Sequence, residues 1–85
     1  MARVQRLVLD VLKPHQPNAL EFAHAIAALG ESYKVNIRVA EVDEHTETLQ
    51  VSIEGEGLDF DRINDKIDEA GASLHSIDEV LVVGK

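Results

Sequence analysis

Four runs of alternating apolar residues and two segments of helical periodicity follow one another as strand, helix, strand, strand, helix, strand. That order predicts an α+β sandwich of the ferredoxin-like βαββαβ kind. Right-handed crossovers then give an antiparallel sheet of strand order 4-1-3-2 with both helices on one face. The 85 residues make a single domain, 1–85.

The first strand covers residues 4–12. Leu7, Leu9 and Val11 alternate onto one face and suit a core, while Arg6, Val8, Asp10 and Leu12 fall on the other. It is expected at the centre of the sheet, beside the third and fourth strands. An aspartate disfavours a strand interior, so Asp10 needs a partner or an open face. Pro14 and Pro17 exclude helix and central strand from 13–17 and predict a loop. Asn18, with Glu21 three residues on, spells a capping box for a helix over 19–29 that stops at Gly30. Ala19, Phe22, Ala23, Ile26 and Leu29 form its buried stripe.

The second strand is expected over 33–43, where Val35, Ile37 and Val39 alternate with Asn36, Arg38 and Ala40. A polar turn over 43–47 leads to the third strand, 48–54, with Leu49, Val51 and Ile53 on one face. Gly55 and Gly57 break that strand. Asp59 reads as the N-cap of the second helix, with Leu58 and Ile63 placed as a hydrophobic staple. Phe60, Ile63, Ile67 and Ala70 make its core stripe, six charged residues cover its outside, and Gly71 ends it. The fourth strand lies within 72–83. Leu74 and Ile77 are three apart there, so a bulge within 76–79 is required to keep the apolar face continuous. Leu7, Leu9, Val11, Phe22, Ile26, Val35, Ile37, Val51, Ile53, Phe60, Ile63 and Ile67 are expected to share one core.

Composition narrows the function. Sixteen acidic residues against eight basic ones give a net charge of −8, which repels nucleic-acid phosphates and anionic membrane surfaces. Only Phe22, Tyr33 and Phe60 are aromatic, too few for a base-stacking platform. The chain has no cysteine, which excludes a paired-thiolate metal site and a disulfide. It has no apolar run near 18 residues and no signal peptide, so a soluble cytoplasmic protein is expected. Gly55-Glu56-Gly57 carries the wrong charge for a phosphate loop.

Three segments together, LVLDVLKPH from Leu7, LDFDRI from Leu58 and GASLHSIDEV from Gly71, resemble a small, mainly archaeal family known as domain of unknown function 211. The resemblance covers nearly the whole chain. It implies a ferredoxin-like fold, a tendency to oligomerise and no established activity.

The polar residues of these segments are the candidate ligand-binding set: Asp10, Lys13, His15, His75, Asp78 and Glu79. Adjacent first and fourth strands would bring some of them together. Histidine with carboxylates suits a divalent cation, the one cofactor class this set points to. The four histidines nonetheless show no paired ligand spacing. Two readings follow. One is a non-enzymatic oligomeric module that binds a small ligand or divalent cation at a subunit boundary. The other is a small enzyme with Asp10, His15 or His75 as acid–base groups.

Self-association is expected from the first helix. Its only polar residues are Glu21 and His24, which leaves Leu20, Ala25, Ala27 and Ala28 near the outer surface. On the sheet, Val8, Leu12, Ala40 and Val42 are expected on the helix-free face. Two such patches exceed what a monomer of this size usually exposes, and a contact between unlike patches would close into a ring.

Overall fold

A computed structural model gives the structure of residues 2–84. The elements are β1 (Arg3–Pro14), α1 (Ala19–Ala27), β2 (Lys34–Val42), β3 (Thr46–Glu54), α2 (Phe60–Glu69) and β4 (Ser73–Val83). They form one four-stranded sheet of order β2-β3-β1-β4, every neighbouring pair antiparallel. This is the predicted ferredoxin-like arrangement read from its other edge. Both helices pack on the face that carries Leu7, Leu9 and Val11, where Phe22, Ile26, Ile63 and Ile67 meet Leu49, Val51 and Ile53.

Local chemistry explains where the helices start and stop. Asn18 and Glu21 form the full capping box: the Glu21 amide donates to Asn18 Oδ1 at 2.8 Å and the Asn18 amide donates to Glu21 Oε1 at 3.0 Å. α1 ends at Ala27, earlier than its apolar stripe suggests, because the Leu29 amide turns back to the Ile26 carbonyl and tightens the last turn. α2 starts at the Asp59 cap, which accepts from the Arg62 amide. It closes in a Schellman motif, with the Ala72 amide on the Ile67 carbonyl and the Gly71 amide on the Asp68 carbonyl. Gly71 takes the left-handed conformation this motif needs, φ 76°.

Three expectations are corrected. Lys13 and Pro14 belong to β1 and pair with Glu47 and Thr46, where a loop was expected. β4 reaches only as far as Leu12, so beyond that point β1 has a single neighbour and a proline's missing N–H is tolerated. For the same reason β3 begins at Thr46 and the turn shrinks to 43–45, closed by the Asp43 amide on the Thr46 carbonyl. The core also shifts. Val35, Ile37 and Phe60 are half-buried at its margin, while Leu49, Leu58 and Ala72 join its centre. Val35 and Ile37 lie on an edge strand with one neighbour and one covering helix. Last, Val8 is not part of an exposed patch. It is 6% exposed, set low between Ser52 and Glu79 with Arg6 and Asp10 two residues along.

The bulge expected within 76–79 is present at Asp78, where Val8 faces Glu79 and Leu9 already faces Ile77. A second falls at His75 and a third, on the other strand, at Gln5.

Helix and strand lengths leave much of the sheet uncovered. A helix of 10 residues spans about 15 Å, whereas the 12 residues of β1 run about 40 Å, in keeping with a long axis of 46 Å. The helices therefore shield the middle of the sheet and leave its corners open. Among the exposed apolar residues are Val39 and Val42 of β2, and Ile77, Val80, Leu81, Val82 and Val83 of β4.

Candidate functional site

Three places on this frame concentrate chemistry: the hairpin end of β1, the helix-free face around Arg6, and the outer edge of β4.

At the hairpin end, Lys13 has no exposed side-chain surface. Its ammonium donates to the Pro14 carbonyl at 2.7 Å and the Pro17 carbonyl at 2.6 Å, and pairs with Glu47 Oε1 at 3.2 Å. An ammonium has three protons, so all of them are used. His15 joins from the following loop. Its Nδ1 lies 3.1 Å from Glu47 Oε2 and its Nε2 lies 3.0 Å from the Glu44 carbonyl. Both partners are acceptors, which only the doubly protonated ring can satisfy. The Glu47 carboxylate and then the Glu44 carbonyl accordingly raise the His15 pKa above its ordinary value. Hydrogen bonds from His15 and then Lys13 lower that of Glu47. The cluster ties β1 and its exit loop to the β2–β3 turn.

On the helix-free face, Arg6 is held between two strands. Its Nε donates to Glu79 Oε2 of β4 at 2.9 Å, and its Nη1 pairs with Glu54 of β3. The Glu79 hydrogen bond is the main cause that raises the Arg6 pKa. Beside it lies an open cavity of about 320 Å³ walled by residues that include Arg6, Lys34, Glu54, Glu56 and Leu81. A smaller one of about 200 Å³ adjoins it, with Asn36 and Ser52 in its wall. The larger volume is at the lower end of the range for small-molecule sites.

Of the six candidate residues, three fall in these two places. Lys13 and His15 belong to the hairpin-end cluster. Glu79 belongs to the Arg6 network. Asp10 stands on the helix-free face between Gln50 and Ser76 in register. His75 and Asp78 are the bulged residues of β4, both exposed, and Asp78 accepts from Ser76 Oγ at 2.6 Å. Among the described residues, no three of the His, Asp and Glu side chains gather as a metal site would require. None of the cavities beside Arg6, β2 or the helices has Asp10, His15 or His75 in its wall.

Sequence reasoning missed Arg6 and Glu47. The signal for Arg6 was an arginine among the apolar residues of a central strand, where a bare charge is rarely left unpaired. No such signal existed for Glu47, which reads as an ordinary turn carboxylate until the register places it opposite Lys13.

The edge of β4 carries another feature. Five of its last seven residues are large apolar side chains with between 39% and 52% of their surface exposed. The strand runs 11 residues at the sheet margin with neither lysine nor proline, although edge strands normally carry such residues to prevent pairing with other chains. Beside the opposite margin, Leu20, Ala23, His24 and Ala27 of α1 line an apolar cleft against Val35 of β2. Leu20 is 68% exposed there.

Among the described residues no helix is long and apolar enough to cross a membrane. The family model described as DUF211, Uncharacterized ArCR, matches residues 5–85. The chain is also similar to an uncharacterized protein of Methanocaldococcus jannaschii, with 47% identity over 85 residues, covering 100% of this chain and 87% of that protein.

Proposed function

This chain belongs to the family of domain of unknown function 211, and on that premise we propose that it is a non-enzymatic module that self-assembles through the edges of its sheet and holds a small polar ligand at the subunit boundary. The observation that carries the reading is the bare apolar edge of β4, with Val80, Leu81, Val82 and Val83 all exposed. An edge strand of this length and composition is a template for a further strand, and an apolar patch of this kind on a small domain marks an interaction surface.

The ligand part of the reading is supported by the cavity beside Arg6. Leu81 of one edge strand and Lys34 of the other both contribute to its wall, so a neighbouring copy docked on either edge would border it. Two cationic and two anionic side chains suit a polar molecule. A divalent cation has less support, since the carboxylates there are already engaged: Glu54 by Arg6, and Glu56 by Gln5. The enzyme alternative requires Asp10, His15 or His75 to face one shared pocket, and the cavities beside Arg6, β2 and the helices have none of the three in their walls.

Light scattering at micromolar concentration tests the assembly. A mass several times 9.3 kDa is expected, and a mass near that value refutes the reading. The Val80→Lys, Val82→Lys double variant should return the protein to monomers with an unchanged circular dichroism spectrum, because both side chains lie outside the core. Mass spectrometry of the natively purified protein should find a polar small molecule in the assembled form that the monomeric variant lacks.

A further inference from the structure

We infer that the cavity beside Arg6 binds a small zwitterion of the amino-acid class, with the ligand's carboxylate at Lys34, its ammonium at Glu56 and an aliphatic side chain against Leu81. This deepens the ligand part of the reading above and does not depend on assembly, because one chain supplies these wall residues.

The sheet register builds the site. Lys34 of β2 pairs in register with Glu54 of β3, Glu54 with Arg6 of β1, and Arg6 with Leu81 of β4. One row of side chains thus crosses all four strands on the helix-free face. Glu54 stands between two cations and is taken by Arg6, which Glu79 also holds from β4. Arg6 is therefore compensated and fixed before any ligand arrives. Lys34 is not compensated: it makes no ion pair among the described residues. Glu56 lies just beyond Gly55 at the end of β3. It accepts from the neutral Gln5 amide at 3.3 Å and likewise makes no ion pair among the described residues. The wall keeps one uncompensated charge of each sign, and the two are not bridged to each other.

The neutral groups sort in the same way. The adjoining smaller cavity shares Lys34 and adds Asn36 and Ser52, whose amide and hydroxyl protons can donate to a carboxylate. At the other end Gln5 directs an amide proton to Glu56, which leaves its carbonyl oxygen to accept from an ammonium. Ser32 Oγ accepts from the Glu56 amide at 3.0 Å and steadies the backbone that carries this carboxylate. Leu81 is exposed and offers apolar surface for an aliphatic group to cover.

Other ligand classes leave a charge unanswered. A dicarboxylate meets Glu56, a diamine or a divalent cation meets Lys34, and a phosphate meets Glu54 and Glu56. Like charges set against each other in this way cost affinity.

Titration calorimetry on dialysed protein tests the assignment. The probes are leucine, isocaproate (leucine without its amino group), isoamylamine (leucine without its carboxyl group), glycine, succinate and putrescine. Leucine should bind saturably and about tenfold or more tighter than either truncated analogue. Glycine should bind more weakly than leucine, since it leaves Leu81 uncovered. Glu56→Gln should remove the preference for leucine over isocaproate and keep that over isoamylamine; Lys34→Met should do the reverse. Both side chains are exposed, so the circular dichroism spectrum should not change. A purely structural loss would weaken every probe alike and overturn the assignment. Succinate or putrescine binding in place of leucine would overturn the inference and leave a polar-ligand site standing. Leucine binding indifferent to both substitutions would place it elsewhere and overturn the inference. No saturable heat from any probe would also overturn it. If mass spectrometry then finds no small molecule with the natively purified protein, the ligand part of the reading falls as well. Leucine binding with these preferences by a protein that light scattering shows to be monomeric would sink the assembly reading and support this one.

Discussion

Replacing Lys13 with methionine tests the hairpin-end cluster most directly. Methionine keeps the length and most of the volume of the buried stem, so the cavity contribution is small and the loss is mainly polar. Three acceptors lose their donor: the carbonyls of Pro14 and Pro17, and Glu47 Oε1. Breaking a buried charge pair by removing one partner costs about 3–5 kcal/mol. Glu47 retains His15 at 3.1 Å and some solvent exposure, so the lower end applies, about 3 kcal/mol. For a domain of this size that lowers Tm by roughly 12–24 °C. Urea or thermal unfolding followed by circular dichroism, at equal protomer concentration for both proteins, measures it. The substitution should cost less in a Glu47→Leu background, where no carboxylate is left unpaired. A cost below about 1 kcal/mol in the natural background would refute the reasoning, since it would mean that the ammonium is neither buried nor fully paired.

The same cluster gives a pH dependence. The folded pKa of His15 is raised from 6.5, so its contribution is complete below that value and is lost as pH rises through the raised one. That of Glu47 is lowered from 4.5, so its contribution is present above that value and is lost as pH falls through the lowered one. The difference in melting temperature between the natural protein and His15→Gln should thus be widest between about pH 5 and pH 6 and shrink in alkaline buffer; a difference that grows there would contradict the assigned protonation. In the core, Leu9→Ala should cost about 2–5 kcal/mol because Leu9 is fully buried. Ile37→Ala should cost clearly less in the same unfolding assay, because its side chain lies half-exposed at the β2 margin.

The order of elements, the two helix N-caps, the Gly71 stop and the bulge at Asp78 were all legible in the sequence. Each depends on residues close together in the chain: a capping side chain reaches three residues, and a bulge shows as a break in a period of two. The alternation of Leu7, Leu9 and Val11 likewise identified the core face before any partner was known. Other features depended on contacts between distant segments. Lys13 and Glu47 are far apart in sequence and meet only because β1 and β3 pair through Pro14 and Thr46, so a residue read as a possible ligand group proved to be a buried anchor. Arg6 binds Glu54 and Glu79 through two different strands. Val8 is shielded although its face has no helix, whereas the continuous apolar run from Val80 to Val83 is exposed at the sheet margin. Apolar character and period assign a residue to a face of its strand. Whether anything covers that face depends on the lengths of the helices and on which strand lies at the edge, and only the tertiary structure sets both.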